Sequence, residues 1–375
     1  MINVTKILKR SWQILWNYRM LWVFGFILAL TIGGSNFGSQ SRNTGNDRNN
    51  NNPQPRAQAP NEWQNLPGNT PREKLNSALG QAVTEIQKLQ AQYPVEFRMG
   101  IAVAITVLVM ILILSFIGAI LRYVAETATI RMVDEYEQTG VKVGFRQGWR
   151  YGWSRSAWRL FLINFVVHIP TLVLFVILGL VGWWIVTTAL YGVESALITS
   201  LIAGVGLAFI AILITVVLMV VLYLLRDFAW RTSVLEGTGA MESLRLATAL
   251  VKRNWKSAGL MWLVMIGIKI AWGIAFFILV FPLLIVSVIT AVGGLLVAVV
   301  PSLLTAGIAS LLAAPDYWPW IFALVIGLPF FATVAFSPIL LVGGWGKIYE
   351  SNVWTLTYRE LKALETVTPA AVDAG

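Results

Sequence analysis

The sequence predicts an all-α integral membrane protein with six transmembrane helices, arranged as three related hairpins with amphipathic interfacial helices. Hydrophobic residues make up 57% of its 375 residues and charged residues only 12%, whereas soluble domains carry about 25% charged residues. The apolar residues form runs of about 20, the length at which a helix spans a bilayer. Short motifs also recur around these runs, which indicates internal repetition.

The composition excludes several kinds of chemical site. The chain has no cysteine and a single histidine, His168, which excludes disulfides, thiolate metal sites and multi-histidine sites within one chain. The common metalloprotease, serine-hydrolase and nucleotide-binding motifs are missing from the sequence. The basic residues follow a predicted membrane surface and form no nucleic-acid-reading motif. We therefore expect no enzymatic activity, cofactor, metal or nucleic-acid partner.

The apolar runs define the predicted spans in chain order. These spans cover residues 15–34, 99–121, 160–187, 197–225, 258–291 and 318–345. The outer segment 293–314 is also apolar, but Gly293, Gly294 and Pro301 interrupt it. A seventh span, a re-entrant hairpin and an interfacial helix are the alternatives for this segment.

The distribution of basic residues predicts the orientation. With six spans and an internal N-terminus, 20 of the 28 Lys and Arg residues face the cytoplasm, as the positive-inside rule requires. The outer loops 188–196 and 292–317 contain none. A seventh span would move Lys347, Arg359 and Lys362 outside. We therefore expect both termini in the cytoplasm.

The first element, residues 1–34, is predicted to be a cytoplasmic interfacial helix followed by the first span. Basic residues precede its apolar run, as they do in a signal peptide. However, no A-x-A-like cleavage site follows, and five further spans do. The segment is therefore expected to remain as an uncleaved first span.

The second element, residues 35–98, is predicted to be extracytoplasmic. Residues 35–70 are rich in Asn, Gln, Gly, Ser and Pro, a composition that buries too little apolar surface to repay ordering, so we expect disorder there. Apolar residues then recur at spacings of three and four, which predicts an amphipathic helix at 71–93. This helix would dock a partner protein or a second copy, or it would lie on the protein's own outer surface or on lipid headgroups.

The remaining elements are a membrane bundle at 99–350 and a cytoplasmic tail at 351–375. Within the bundle, Leu-Arg-Tyr-Val-Ala at 121–125 is similar to Leu-Arg-Asp-Phe-Ala at 225–229, which indicates related hairpins. Basic, tryptophan-bearing segments precede the outgoing spans. Tryptophan side chains anchor at the level of the lipid headgroups, and Lys and Arg attract anionic lipid. These segments would bind specific lipids or partners, or they would only anchor the protein in the membrane. The residues predicted to contact lipid headgroups are Trp12, Trp16, Arg19, Trp149, Arg150, Trp153, Arg155, Trp255 and Lys256.

Three polar residues are predicted to lie within the membrane. Aligning the tryptophans before the outgoing spans places Thr31 and His168 at one depth, with Lys269 one residue away. Lys269 follows Lys256 by about 20 Å of helix rise, and no Asp or Glu lies within a predicted span to pair with it. Charges at such depth are functional candidates. The three residues therefore form a predicted substrate-binding layer, with a snorkelling lysine and a hydrogen-bonded histidine as the alternative.

Four short stretches carry a family resemblance. They are residues 226–229, 234–237, 252–256 and 353–361. These stretches resemble a loose group of uncharacterised bacterial polytopic proteins, which is similar to the membrane domain attached to some glycerophosphoryl diester phosphodiesterases. The soluble phosphodiesterase barrel, with its metal-binding carboxylates, is absent, so the resemblance implies no activity and transfers no functional residue. It implies a bacterial inner-membrane location.

The sequence thus favours a non-enzymatic inner-membrane protein, a scaffold or accessory subunit. Its expected partners are anionic membrane lipids and other membrane proteins, or a second copy bound through 71–93. The alternative is a transporter or channel-like protein with a polar site near Lys269 and His168. A water-accessible cavity that reaches Lys269 would favour this alternative.

Overall fold

The computed structural model describes residues 2–36, 71–191, 194–312 and 317–372, and every regular element within these ranges is an α-helix. The predicted all-α class is therefore confirmed for the described residues. The predicted disorder falls almost entirely on residues 37–70, which lie outside them. In chain order the helices are α1 (Val4–Asn17), α2 (Leu21–Asn36), α3 (Pro71–Gln92), α4 (Pro94–Thr139), α5 (Phe145–Gly152), α6 (Arg155–Tyr191), α7 (Glu194–Leu235), α8 (Ala240–Arg253), α9 (Trp255–Leu311), α10 (Trp318–Ala335) and α11 (Ser337–Val372).

Five of the described helices, α4, α6, α7, α9 and α10, are long and apolar enough to cross a membrane. A sixth span exists if α1 and α2, whose axes differ by 100°, count as one bent span. In lipid a backbone must satisfy its own polar groups, which favours helices of this kind. The chain is therefore compatible with a multi-pass membrane protein.

The last two helices divide the segment that the sequence predicts as one span, 318–345. The break lies at Phe336, between α10 and α11. Pro338 explains its position, because proline lacks an N–H donor and clashes with the carbonyl four residues earlier, at Val334.

The apolar segment after residue 292 does not form a separate element. Residues 293–311 continue α9, which has 57 residues and is therefore about 85 Å long. Gly294 lies against α10: a Cβ at this position would approach the carbonyl oxygen of Phe331 to 2.9 Å. The glycine thus permits two helices to pack closely and does not interrupt α9.

The side chains that join α9 and α10 show an antiparallel arrangement. Thr290 Oγ1 donates to the carbonyl oxygen of Ala335 at 2.7 Å, and Ser302 Oγ donates to that of Ala323 at 3.1 Å. A residue further along α9 therefore contacts one earlier in α10. This antiparallel order continues into α11 and brings the N-terminal part of α9 to the residues after 345.

The described chain divides into two compact units. The first comprises Met1–Gly38, Thr106–Ile169 and Leu218–Gly375. Its buried core gathers α1, α2 and α8 with the C-terminal parts of α4 and α7, the middle of α11 and the N-terminal parts of α6 and α9. These parts adjoin the apolar runs, so the core forms where the long helices leave those runs.

The second unit comprises Ser39–Ile105 and Pro170–Val217. Large apolar side chains of α6 and α7, such as Phe175 and Phe209, are exposed in it. Soluble proteins rarely expose apolar patches of this size, whereas lipid tails solvate them well. This exposure again fits helices surrounded by lipid.

Two glycines set the closest helix contact in the first unit. A Cβ at Gly25 of α2 would come within 2.8 Å of the carbonyl oxygen of Gly344 in α11. A Cβ at Gly344 would come within 2.6 Å of the carbonyl of Gly25. The two backbones therefore touch at a point where only glycine fits. This crossing fixes α11 beside the first hydrophobic helix.

Candidate functional site

Three basic residues mark the ends of three apolar runs. Arg122 in α4, Arg226 in α7 and Lys347 in α11 are each the first charged residue after an uncharged stretch of more than 20 residues. The three helices pack together in the first unit, and all three basic side chains line one cavity. The related sequences around Arg122 and Arg226 are therefore brought together in space.

The cavity has a volume of about 70 Å³. We call it the charged cavity, because seven of its ten lining residues are ionisable. Its lining consists of Arg122, Glu126, Arg226, Asp227, Trp230, Arg231, Lys347, Glu350, Ser351 and Trp354.

Arg231 is the most deeply buried charge of the site, with a side chain only 2% exposed. Its Nη1 donates to the carbonyl oxygen of Asp227 at 2.8 Å, and its Nη2 lies 3.5 Å from Glu126 Oε1. Ser351 Oγ donates to the same Glu126 oxygen at 3.0 Å. Arg231 and Glu126 thus compensate each other's buried charge, which neither could carry alone.

Arg226 is held by one carboxylate and two aromatic rings. Its Nη2 lies 3.1 Å from Asp227 Oδ1. Its guanidinium carbon lies 4.7 Å from the ring centre of Tyr223 and 4.8 Å from that of Trp230. Both distances fall within the range of cation–π attraction. The guanidinium is therefore fixed in orientation at the wall of the charged cavity.

Glu350 connects the charged cavity to α9. Its Oε1 lies 2.5 Å from Lys269 Nζ and its Oε2 lies 3.6 Å from Lys347 Nζ. Burial raises the pKa of the Glu350 carboxyl group, but the nearby charges of Lys347, Lys269 and Arg226 lower it by more than burial raises it. The pKa of this group therefore lies below its ordinary value. The carboxylate is thus held in its ionised form.

Lys269 therefore has a carboxylate partner that lies outside the predicted spans. Glu350 lies five residues beyond the predicted end of the last span, and α11 brings it level with Lys269. The beginning of α9 lies in the buried core, where Ala258 and Met261 are fully buried.

The other two residues of the predicted polar layer bond elsewhere. His168 Nδ1 lies 2.7 Å from the carbonyl oxygen of Asn164, and its Nε2 lies 3.5 Å from Tyr223 Oη. Thr31 Oγ1 donates to the carbonyl oxygen of Leu28 at 3.1 Å. Among the described side chains, no hydrogen bond joins Thr31, His168 and Lys269. A substrate-binding layer formed by the three residues stays a prediction.

The residues predicted to contact lipid headgroups lie on the surface of the first unit. Trp153 and Trp255 are 61% and 65% exposed, and of the predicted set only Trp149 is half-buried. Trp149 and Trp153 stack with ring centres 6.1 Å apart, and Arg146 and Arg150 line the same shallow groove on α5. Aromatic and basic groups thus share one exposed surface.

A second aromatic cluster holds α1 against α11. The rings of Trp16, Trp22 and Trp345 lie within 5.0 to 5.5 Å of one another, and Trp12 packs against Tyr349 at 5.9 Å. The opposite face of α1 is buried in the core. Trp12 and Trp16 could be identified from the sequence, but their contacts with Tyr349 and Trp345 of α11 could not.

The part of the chain that the structure describes contains no cluster of three or more His, Asp or Glu side chains that could hold a metal ion.

A family model described as a family of unknown function (DUF7544) matches residues 4–352. The chain belongs to this family. No curated protein and no solved structure matches the chain. Membership agrees with a resemblance to uncharacterised proteins, whereas the likeness to phosphodiesterase membrane domains stays a prediction.

Sequence analysis did not identify most of the charged cavity. Glu126, Asp227, Arg231 and Glu350 were not among the predicted site residues. One usable signal was the repeated Leu-Arg pair at 121–122 and 225–226. The first basic residue after each apolar run was the other signal, since it marks the same level in each helix.

Proposed function

We propose that this chain is a multi-pass protein of the bacterial cytoplasmic membrane that acts as a non-enzymatic scaffold or accessory subunit. In this proposal six spans form three related hairpins, and both termini lie in the cytoplasm. Interfacial helices α1 and α5 and the start of α9 engage anionic lipid. The buried core of the first unit then lies at the cytoplasmic surface, which agrees with the positive-inside distribution of Lys and Arg.

The observation that carries the proposal is the geometry of α1. Its axis differs by 100° from that of α2, so α1 lies along the membrane plane if α2 crosses the bilayer. Ile7 and Ile14 are buried on one side of α1, whereas Trp12 and Trp16 are exposed. Exposed tryptophans at the base of a span are typical of headgroup anchors.

The exposed surface of α5 supports the same role. Arg146 and Arg150 surround the stacked rings of Trp149 and Trp153. Basic residues at a membrane surface attract anionic lipid by about 1 kcal/mol each. The combination of fixed aromatic rings and positive charge favours anionic over zwitterionic headgroups.

Helix α3 is the proposed contact for another membrane protein or a second copy. Its apolar stripe includes Leu79, Ile86 and Leu89 and continues to Tyr93 just after the helix ends, and each of these side chains is about half exposed. Such a stripe buries well against another helix. The shortness of the stripe equally allows it to rest on lipid headgroups.

The transporter alternative has less support. It depends on a polar layer formed by Lys269, His168 and Thr31, and the hydrogen bonds and ion pairs of these residues go to separate partners. Lys269 is bound to Glu350 near the end of the last apolar run. No other observation favours transport over anchoring.

Lipid selectivity around α5 tests the proposal. The chain is extracted with its native lipid into polymer nanodiscs, and the ratio of phosphatidylglycerol to zwitterionic lipid is measured for wild type and for the Arg150→Gln/Arg155→Gln variant. We expect anionic enrichment to fall about fivefold or more, since each basic residue contributes about 1 kcal/mol.

The matched control is the Lys88→Gln/Arg98→Gln variant. It removes the same charge from α3 and the start of α4, which the proposal places on the opposite side of the membrane. Its lipid ratio should equal that of wild type. Equal ratios in all three proteins would contradict the proposed lipid engagement.

A further inference from the structure

The charged cavity contains more positive than negative charge. Four basic side chains line it, from Arg122, Arg226, Arg231 and Lys347, against the carboxylates of Glu126, Asp227 and Glu350. Lys269 adds a further positive charge through its bond to Glu350. The excess lies on Arg122, Lys347 and Lys269, which are partly exposed, and such a local surplus of positive charge attracts an anion.

Residues that line the charged cavity also carry hydrogen-bond donors that have no acceptor among the described residues. Arg226 Nε, Arg231 Nε, Trp230 Nε1 and Trp354 Nε1 are buried and have no hydrogen-bond partner among the described residues. All four belong to residues that line the charged cavity. Buried polar groups in folded proteins are almost always bonded. These four groups only donate, so a water molecule or an anion that reaches them serves as an acceptor.

The volume limits what that acceptor is. A water molecule takes a share of about 30 Å³ in the liquid, so a cavity of about 70 Å³ encloses one small group, and the rest of a larger ligand stays outside it. A tetrahedral oxyanion supplies several acceptor atoms and negative charge in that space. Arginine guanidinium groups match the geometry of phosphate oxygens in two parallel hydrogen bonds.

We propose that the charged cavity binds a single phosphate group through the guanidinium groups of Arg226 and Arg231. Arg122 and Lys347, which are half-buried, complete the positive charge around it. The cavity lies where three apolar runs end, the level at which lipid phosphates occur, so the source is an anionic lipid headgroup or free phosphate. The site is independent of the α5 lipid surface and stands if that surface fails.

The arrangement of the walls supports a preformed site. The Arg226 guanidinium is held between two aromatic rings, and the Arg231 guanidinium is held by Asp227 and Glu126. Neither side chain has to reorganise when the anion arrives, which removes an entropic cost of binding.

The test uses the full chain, delipidated in a maltoside detergent that contains no phosphate. Inorganic phosphate is titrated in one calorimetric experiment and short-chain phosphatidylglycerol in another. Binding of inorganic phosphate identifies free phosphate as a sufficient ligand, whereas binding of the lipid alone identifies the headgroup. Absence of binding by both probes to wild type overturns the proposal.

Two variants locate the bound anion. Arg122→Gln and Lys347→Gln each remove one charge from the cavity, and we expect each to weaken binding about tenfold, the effect of one charge-assisted hydrogen bond. Both residues are half-buried, so their substitution perturbs folding less than that of Arg231 would. Arg245→Gln is the control, because this exposed arginine of α8 lines neither the charged cavity nor the α5 groove, and it should bind as wild type does. Equal affinity in Lys347→Gln, Arg122→Gln and wild type overturns the assignment of the cavity.

Discussion

Lys269 of α9 forms an ion pair with Glu350 of α11, with Nζ and Oε1 2.5 Å apart. The two residues are 81 positions apart in the chain and meet because α9 and α11 run antiparallel. The pair connects the fifth and last apolar segments to the charged cavity. It gives a structural role to a charge that otherwise suggests an intramembrane substrate site.

The Lys269→Leu substitution is expected to lower stability by about 1 kcal/mol. The gain from the pair is limited because the lysine side chain is 55% exposed, and Glu350 retains Lys347 as a partner. Thermal unfolding of Lys269→Leu, Glu350→Gln and the double variant measures the coupling. A coupling energy of zero would show that the pair contributes nothing.

The Gly344→Ala substitution is expected to destabilise the fold by about 1 to 3 kcal/mol, because its methyl group would meet the backbone of Gly25. Gly343→Ala is the matched control, since a Cβ there finds its nearest neighbour at an ordinary 3.9 Å. Unfolding temperatures in one detergent compare them. Equal losses in the two variants would contradict the α2–α11 crossing.

The Arg231→Met substitution is expected to cost about 3 to 5 kcal/mol, because it leaves the buried carboxylate of Glu126 without its cation. Arg245→Met is the control: its side chain is 79% exposed in its pair with Glu242, and its loss should change stability by less than about 0.5 kcal/mol. Yield of monodisperse protein and unfolding temperature report the difference. A tolerated Arg231→Met would show that the pair is dispensable.

Stability is expected to depend on acid pH through Glu350. The folded chain lowers the pKa of this carboxyl group below its ordinary value of 4.5, so its ionised form stabilises the fold above that pH. The contribution is lost as pH falls below 4.5 and through the folded pKa. The unfolding temperatures of wild type and Glu350→Gln should therefore approach each other as the pH falls from about 5 to below 4.5. A constant difference would contradict the lowered pKa.

The all-α class and the apolar runs of its helices could be predicted from the sequence, whereas the continuation of α9 to Leu311 could not. Run length and the absence of charge suffice, because an apolar run of that length is stable in lipid only as a helix. These features depend on neighbouring residues alone. The break before Pro338 agrees with the local chemistry of proline, but Pro170, Pro282 and Pro301 lie inside continuous helices, so proline alone does not locate a break.

The contacts between helices could not be predicted in this way. The low helix propensity of Gly294 predicts an interruption of the helix. In the structure, however, Gly294 packs closely against Phe331 and α9 remains continuous. Glu350 lies outside every predicted span, and its pairing with Lys269 depends on how α9 and α11 align. Arg231 is buried by tertiary packing that no single segment encodes. The site is therefore a product of helix pairing, which the sequence pattern leaves open.

The proposed orientation of the basic helices is the central claim, and thiol labelling tests it most directly. The chain has no cysteine, so single cysteines can be introduced without background, at Gln81→Cys in α3 and Gln147→Cys in α5. A membrane-impermeant maleimide is applied to spheroplasts before and after permeabilisation. We predict that Gln81→Cys reacts from outside and that Gln147→Cys reacts only after permeabilisation. Labelling of Gln147→Cys in intact spheroplasts would contradict the account.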